Sequence, residues 1–101
     1  MAKDFLGYRL FGGTLAQCAE EMGAAAKAPR STKGCRIMAC LNPHSYVLAR
    51  DDPAFRSALK AAEWLVPDGA GIILGGRFLG VTFPERVSGP DVFAAVMQRL
   101  Q

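Results

Sequence analysis

The sequence predicts an α/β fold in which a parallel sheet carries flanking helices. Two observations and one general rule lead there. Short apolar runs at Phe5–Phe11, Cys35–Leu41 and Trp64–Val66 alternate with longer stretches of helical periodicity. The second and third runs each end in a turn-and-cap sequence, Asn42-Pro43 and Pro67-Asp68-Gly69, that leads into a helix. Strands that alternate with helices pair in parallel, because the helix is the crossover between them.

The elements follow in order. Phe5–Phe11 reads as one first strand, closed by Gly12-Gly13. Thr14 is placed to cap a helix to about Lys27, with Leu15, Cys18, Met22 and Ala25 on one apolar face. Gly23 weakens that helix by roughly 1 kcal/mol relative to Ala. Pro29 to Gly34 is a loop by composition. Cys35–Leu41 fits a buried strand despite Arg36. Pro43 then opens a helix to about Arg50, since its missing N–H has no partner in a first turn anyway. Asp52 caps the next helix, Pro53 takes its first position, and Phe55, Leu59 and Ala62 form its inner face. Trp64–Val66 is a third strand. Ala70 to Leu79 is an apolar helix stopped by Gly80. Pro84 to Gly89 is a polar connection. Pro90 starts a last helix with Val92, Phe93, Val96 and Leu100 on one face.

Three strands make a small sheet, and the chain stops in or just after an amphipathic helix that should lead to another strand. The expectation is therefore a single partial α/β domain over residues 1–101, incomplete or in need of a partner.

Composition narrows the function. Of 101 residues, 50% are hydrophobic and 21% charged, which is a globular balance rather than a disordered one. No apolar run approaches the roughly 18–20 residues of a membrane span. The N-terminus lacks the pattern of a secretion signal, and Cys18, Cys35 and Cys40 are an odd number, so a cytoplasmic location with free thiols is expected. The formal charge of +3 is spread along the chain, without the basic stripe and interleaved aromatics of a nucleic-acid binder.

In an open α/β sheet, ligands bind at the carboxyl ends of the strands. Leu41-Asn42-Pro43-His44-Ser45 and Pro67-Asp68-Gly69-Ala70-Gly71 occupy such places. Gly69 and Gly71 allow a ligand close to the backbone, and helix N-termini there attract anions. Asp68 reads in two ways: as a general base for a hydroxyl, or as a turn residue capping the next helix. His44 is an acid–base candidate or a surface residue at a helix start. Arg86 suits a phosphate, or else pairs with Glu85 or Asp91. Cys35, Cys40 and His44 do not suit a metal: the two thiols, five residues apart on one expected strand, face opposite sides, and a closed site takes about four ligands. The glycines at 69, 71, 75, 76 and 80 do not form a dinucleotide fingerprint.

Together the motifs are more specific than any one alone. Leu41 to Arg50 with Asp52-Pro53-Ala54-Phe55-Arg56, then Val66-Pro67-Asp68-Gly69 before an apolar helix, then Phe83 to Asp91, resemble three motifs of the WecG/TagA/CpsF glycosyltransferases, in the same order and at about the same spacing. The similarity runs from about Leu10 to the chain end. It implies a Rossmann-like fold and an inverting transfer of a hexose or N-acetylhexosamine-type sugar. The implied donor is a UDP-sugar and the implied acceptor a polyprenyl-diphosphate-linked sugar at the inner membrane face. Teichoic acid, enterobacterial common antigen and exopolysaccharide are the implied products. By the same resemblance Asp68 is the catalytic base, Asn42 and Arg86 contact the donor sugar and its phosphates, and no metal or other cofactor is expected. Cys40 stands where the family usually has Thr, and a thiol is the weaker donor to a sugar. Family members continue past this length with much of the nucleotide site and a basic membrane-docking tail, and they are thought to self-associate. The second reading is a non-catalytic remnant or interaction module of the same fold.

Overall fold

The computed structural model describes residues 2–28 and 35–101. The loop expected at Pro29–Gly34 lies outside the described residues. The elements are β1 (Ala2–Phe5), β2 (Tyr8–Phe11), α1 (Leu15–Lys27), β3 (Met38–Leu41), α2 (Pro43–Asp51), α3 (Pro53–Ala61), β4 (Trp64–Pro67), α4 (Ala70–Phe78) and α5 (Gly89–Leu100).

The fold is α/β, as expected, but its first strand is two. β1 and β2 form an antiparallel hairpin with Phe5 opposite Tyr8. The connection is Leu6-Gly7, with φ of 51° and 86°, the left-handed pair of a two-residue hairpin turn. Leu is a poor residue for that backbone, at a cost of about 1–2 kcal/mol. The sequence therefore carries no turn signal there, and the apolar run hides the reversal. The parallel part of the sheet is thus β3 and β4 alone, with Met38 opposite Trp64 and Leu41 opposite Pro67. β3 is shorter than expected. Cys35, Arg36 and Ile37 are exposed, and the Ile37 carbonyl accepts from the Glu63 and Trp64 N–H groups just ahead of the ladder.

Alternation sends side chains to two cores. Leu65 and Leu41 join Tyr8, Leu10, Ala49, Leu59, Ile72 and Phe83 on one face. Val66 joins Phe11, Cys18, Val87 and Val92 on the other, with Cys40 and Met38 packed against them. Helices α2, α3 and α4 therefore cover one face, and α1 and α5 the other. Coverage of both faces is what a parallel pair requires.

The caps form largely where the sequence places them. Thr14 and Gln17 make a reciprocal capping box at α1. Asp52 accepts from the Phe55 N–H at 3.1 Å at α3. Gly80 closes α4 with φ 82°. Gly23 is buried where α1 meets α5: a Cβ there would stand 3.7 Å from the Arg99 side chain. One helix face differs from expectation. Val92 is buried and Val96 half-buried, but Phe93 is 66% exposed and Leu100 is exposed too. The α5 stripe that meets α1 is narrower than the apolar pattern suggests.

Candidate functional site

Parallel pairing sets Leu41 beside Pro67, so the loops after β3 and β4 leave the same edge of the sheet. The Asp68 N–H donates to the Leu41 carbonyl at 2.9 Å, which extends the ladder one residue into the second loop. Asn42 and Asp68 are thereby held side by side at the carboxyl ends.

Asn42 caps α2. Its Oδ1 accepts from the Ser45 N–H at 2.8 Å, and Ser45 Oγ accepts from the Asn42 N–H at 2.9 Å. The cap uses the side-chain oxygen, so the amide NH2 of Asn42 is the part left to meet a ligand.

Asp68 does not cap α4, which corrects that reading of it. The N-cap is Gly69, at φ 94°, and no side chain bonds to the first turn. A residue with a Cβ is strained at that φ, so Gly69 takes the cap position and Asp68 stays one residue outside it. Asp68 is half-buried, and its carboxylate has no hydrogen-bond partner among the described residues. The two loops touch closely. A Cβ on Gly69 would come 3.9 Å from Pro43 Cδ, and one on Gly71 only 2.6 Å from Pro43 Cγ.

The third motif closes over this edge from the other face. The Val87 N–H donates to the Pro67 carbonyl at 3.1 Å. A Cβ on Gly89 would lie 3.4 Å from Cys40 Sγ, so the start of α5 sits on the thiol. Burial pushes the Cys40 pKa up, the Asp68 carboxylate raises it further, and the Gly89 backbone N–H works in the opposite direction. Cys40 is thus a protonated thiol at neutral pH, beside the Asp68 side chain.

Arg86 is exposed, one residue before the Val87 anchor. The acidic neighbours expected to pair with it are engaged elsewhere. Glu85 accepts from the Leu15 N–H at the start of α1, and Asp91 Oδ2 accepts from Ser88 Oγ at 2.8 Å. Sequence reasoning missed the Glu85 role, because the contact joins residues 70 apart. His44 is exposed on the first turn of α2. Cys35 lies before β3, so strand alternation does not govern its direction. Among the described residues no group of three His, Cys, Asp or Glu is placed to hold a metal ion.

Of the residues singled out, Cys40, Asn42, Asp68 and Gly69 converge, and Arg86 lies on the segment that closes over them. Asp68 is a half-buried carboxylate at the carboxyl ends of the parallel strands, between the starts of α2 and α4, which is where open α/β folds generally bind ligands. The chain belongs to the glycosyl transferase WecG/TagA/CpsF family, whose model matches residues 3–101. It is 27% identical over 67 residues to an N-acetylglucosaminyldiphosphoundecaprenol N-acetyl-beta-D-mannosaminyltransferase of Bacillus spizizenii. That match covers 66% of this chain and 26% of the relative, so it spans about a quarter of that protein's length. No helix among the described residues is long and apolar enough to cross a membrane.

Proposed function

We propose that these residues form the reacting edge of an inverting glycosyltransferase. It moves a hexose or N-acetylhexosamine-type sugar from a UDP-sugar to a polyprenyl-diphosphate-linked sugar at the cytoplasmic face of the membrane. The product belongs to a cell-surface polymer of the teichoic acid, enterobacterial common antigen or exopolysaccharide kind. The observation that carries this reading is the Asp68 carboxylate, released from helix capping by Gly69 and held at the strand edge by its own N–H.

In this scheme Asp68 takes the proton from the acceptor hydroxyl. The acceptor oxygen bonds to the anomeric carbon while the bond from that carbon to the UDP oxygen breaks on the opposite face. The electron pair leaves with the diphosphate. Arg86 offsets its charge, and the step uses no metal. The Asn42 amide and the Cys40 thiol face the donor sugar.

The test is sugar transfer by the gene product that carries this sequence. The substrates are labelled UDP-N-acetylmannosamine and a short-chain polyprenyl-diphosphate N-acetylglucosamine. Asp68→Asn is expected to lower turnover roughly 100- to 10,000-fold, with a cooperative melt and an unchanged near-UV spectrum at Trp64. Unchanged turnover would remove Asp68 from the mechanism. A folded wild-type protein that transfers no sugar from any UDP donor would overturn the reading itself.

A further inference from the structure

On the α2–α4 side of the molecule an apolar groove of about 400 Å³ starts where the candidate site ends. Its near end is Pro43 and Gly71, which directly follow Asn42 and the Asp68-Gly69-Ala70 turn. It runs between α2 and α4 past Val47 and Gly75 to Phe78 and Leu79, with the Leu6 turn as its outer lip. Along α4, from Gly71 to Phe78, that is roughly 10 Å of helix. Gly71 and Gly75 lie one turn apart and let the Pro43 and Phe5 rings pack against α4. The far end is open: Phe78 is 90% exposed, and Leu6, Val47 and Leu79 are exposed with it.

Its chemistry selects the occupant. Among the lining side chains only Tyr46 carries a polar atom. Between the first turns at Pro43 and Gly71 and the last turn at Phe78, the backbone groups of both helical walls are used within their helices. An extended peptide laid here would leave its own N–H and C=O groups without partners, which is costly. A hydrocarbon has no such groups and gains from every contact. A hydrocarbon that begins beside the reacting edge is what an acceptor with a polyprenyl tail presents.

We infer that the α2–α4 groove holds the first isoprene units of the acceptor's polyprenyl chain, with the acceptor diphosphate at the Pro43–Gly71 end. The assignment rests on the acceptor class in the proposed function and adds the place where its tail lies.

The experiment compares farnesyl diphosphate with inorganic diphosphate as probes of the full chain, by calorimetry and by amide shifts. Farnesyl diphosphate is expected to bind at least tenfold more tightly and to shift Val47, Gly71, Gly75 and Leu79. Val47→Asp and Phe78→Ser, both at exposed positions, are each expected to weaken it at least tenfold and leave inorganic diphosphate binding unchanged. Equal affinity for the two probes overturns the inference, and so does no response to either variant. Two other results overturn it by naming a different occupant. One is a dimer that Val47→Asp dissociates. The other is binding to phosphatidylcholine vesicles, free of polyprenyl lipid, that the variants abolish. Tail binding is read without sugar transfer, so the two proposals fail separately. Farnesyl binding at the groove without turnover leaves this inference standing and sinks the other. Turnover that the groove variants do not change does the reverse.

Discussion

The Asp68 carboxylate lies near the Cys40 thiol across the ends of β3 and β4, where burial raises the thiol's pKa and the carboxylate raises it further. Two residues 28 positions apart in the sequence are thus coupled through the register that sets Leu41 beside Pro67. This coupling gives a readout of the site that needs no substrate. Removing the Asp68 charge in Asp68→Asn lowers the Cys40 pKa, raises its thiolate fraction and speeds alkylation. Peptide mapping after timed iodoacetamide treatment at mildly alkaline pH should show Cys40 labelled faster in the variant, with exposed Cys35 unchanged as the internal control. Equal Cys40 rates would mean that the carboxylate points away from the thiol.

Cys40→Thr should improve the donor site. A hydroxyl is a better hydrogen-bond donor than a thiol, and β-branched Thr suits β3. One net hydrogen bond is worth about 0.5–1.5 kcal/mol, so KM for the UDP-sugar should fall roughly 2- to 10-fold with kcat little changed. Steady-state kinetics on both proteins decide it. A raised KM would mean that the space between β3 and Gly89 is fitted to sulfur.

Much of this architecture is legible in the sequence because its signals are local. Thr14, Asn42 and Asp52 cap helices within three residues of themselves, and Pro43 and Pro53 mark the first turns. The loops at Asn42 and Asp68 are readable as strand-to-helix turns for the same reason. What is not legible depends on non-local packing or on an unusual local choice. Leu6 occupies a left-handed position that sequence rules give to Gly or Asn, so the hairpin is invisible in an apolar run. In Pro67-Asp68-Gly69 both Asp and Gly can serve as N-cap, and only the backbone shows that Gly69 does. Glu85 at the start of α1 and Gly89 on Cys40 are contacts between distant segments, which no short window contains.

Gly71→Ala tests how closely the two loops must approach. Alanine is favoured over glycine in a helix by about 1 kcal/mol. Here its Cβ would stand 2.6 Å from Pro43 Cγ, and a proline ring at a helix start has little room to yield. Overpacking of this kind costs typically 1–3 kcal/mol, so the clash should win. The variant is expected to melt lower than the parent by thermal denaturation, and to separate the Asn42 and Asp68 loops. An unchanged or higher melting temperature would show that α4 can shift without loss.

Alkaline pH should weaken the fold through Cys18. Its side chain is fully buried on α1 among Phe11, Val66, Val87 and Val92, and its pKa is pushed up from 9.0 to about 11, first by burial and then by the charge of Glu21 and by Cys40. A folded-state value above the unfolded one means that the neutral thiol stabilises the fold. That contribution is complete below about pH 9 and is lost as pH rises through 11. A shift of this size is worth on the order of 2–3 kcal/mol. The melting temperature should therefore decline between pH 9 and 11, and Cys18→Ala should flatten the decline while lowering stability slightly at pH 7 through lost packing. An equally steep decline in Cys18→Ala would assign the alkaline loss to other groups, with the lysines and tyrosines the next to examine.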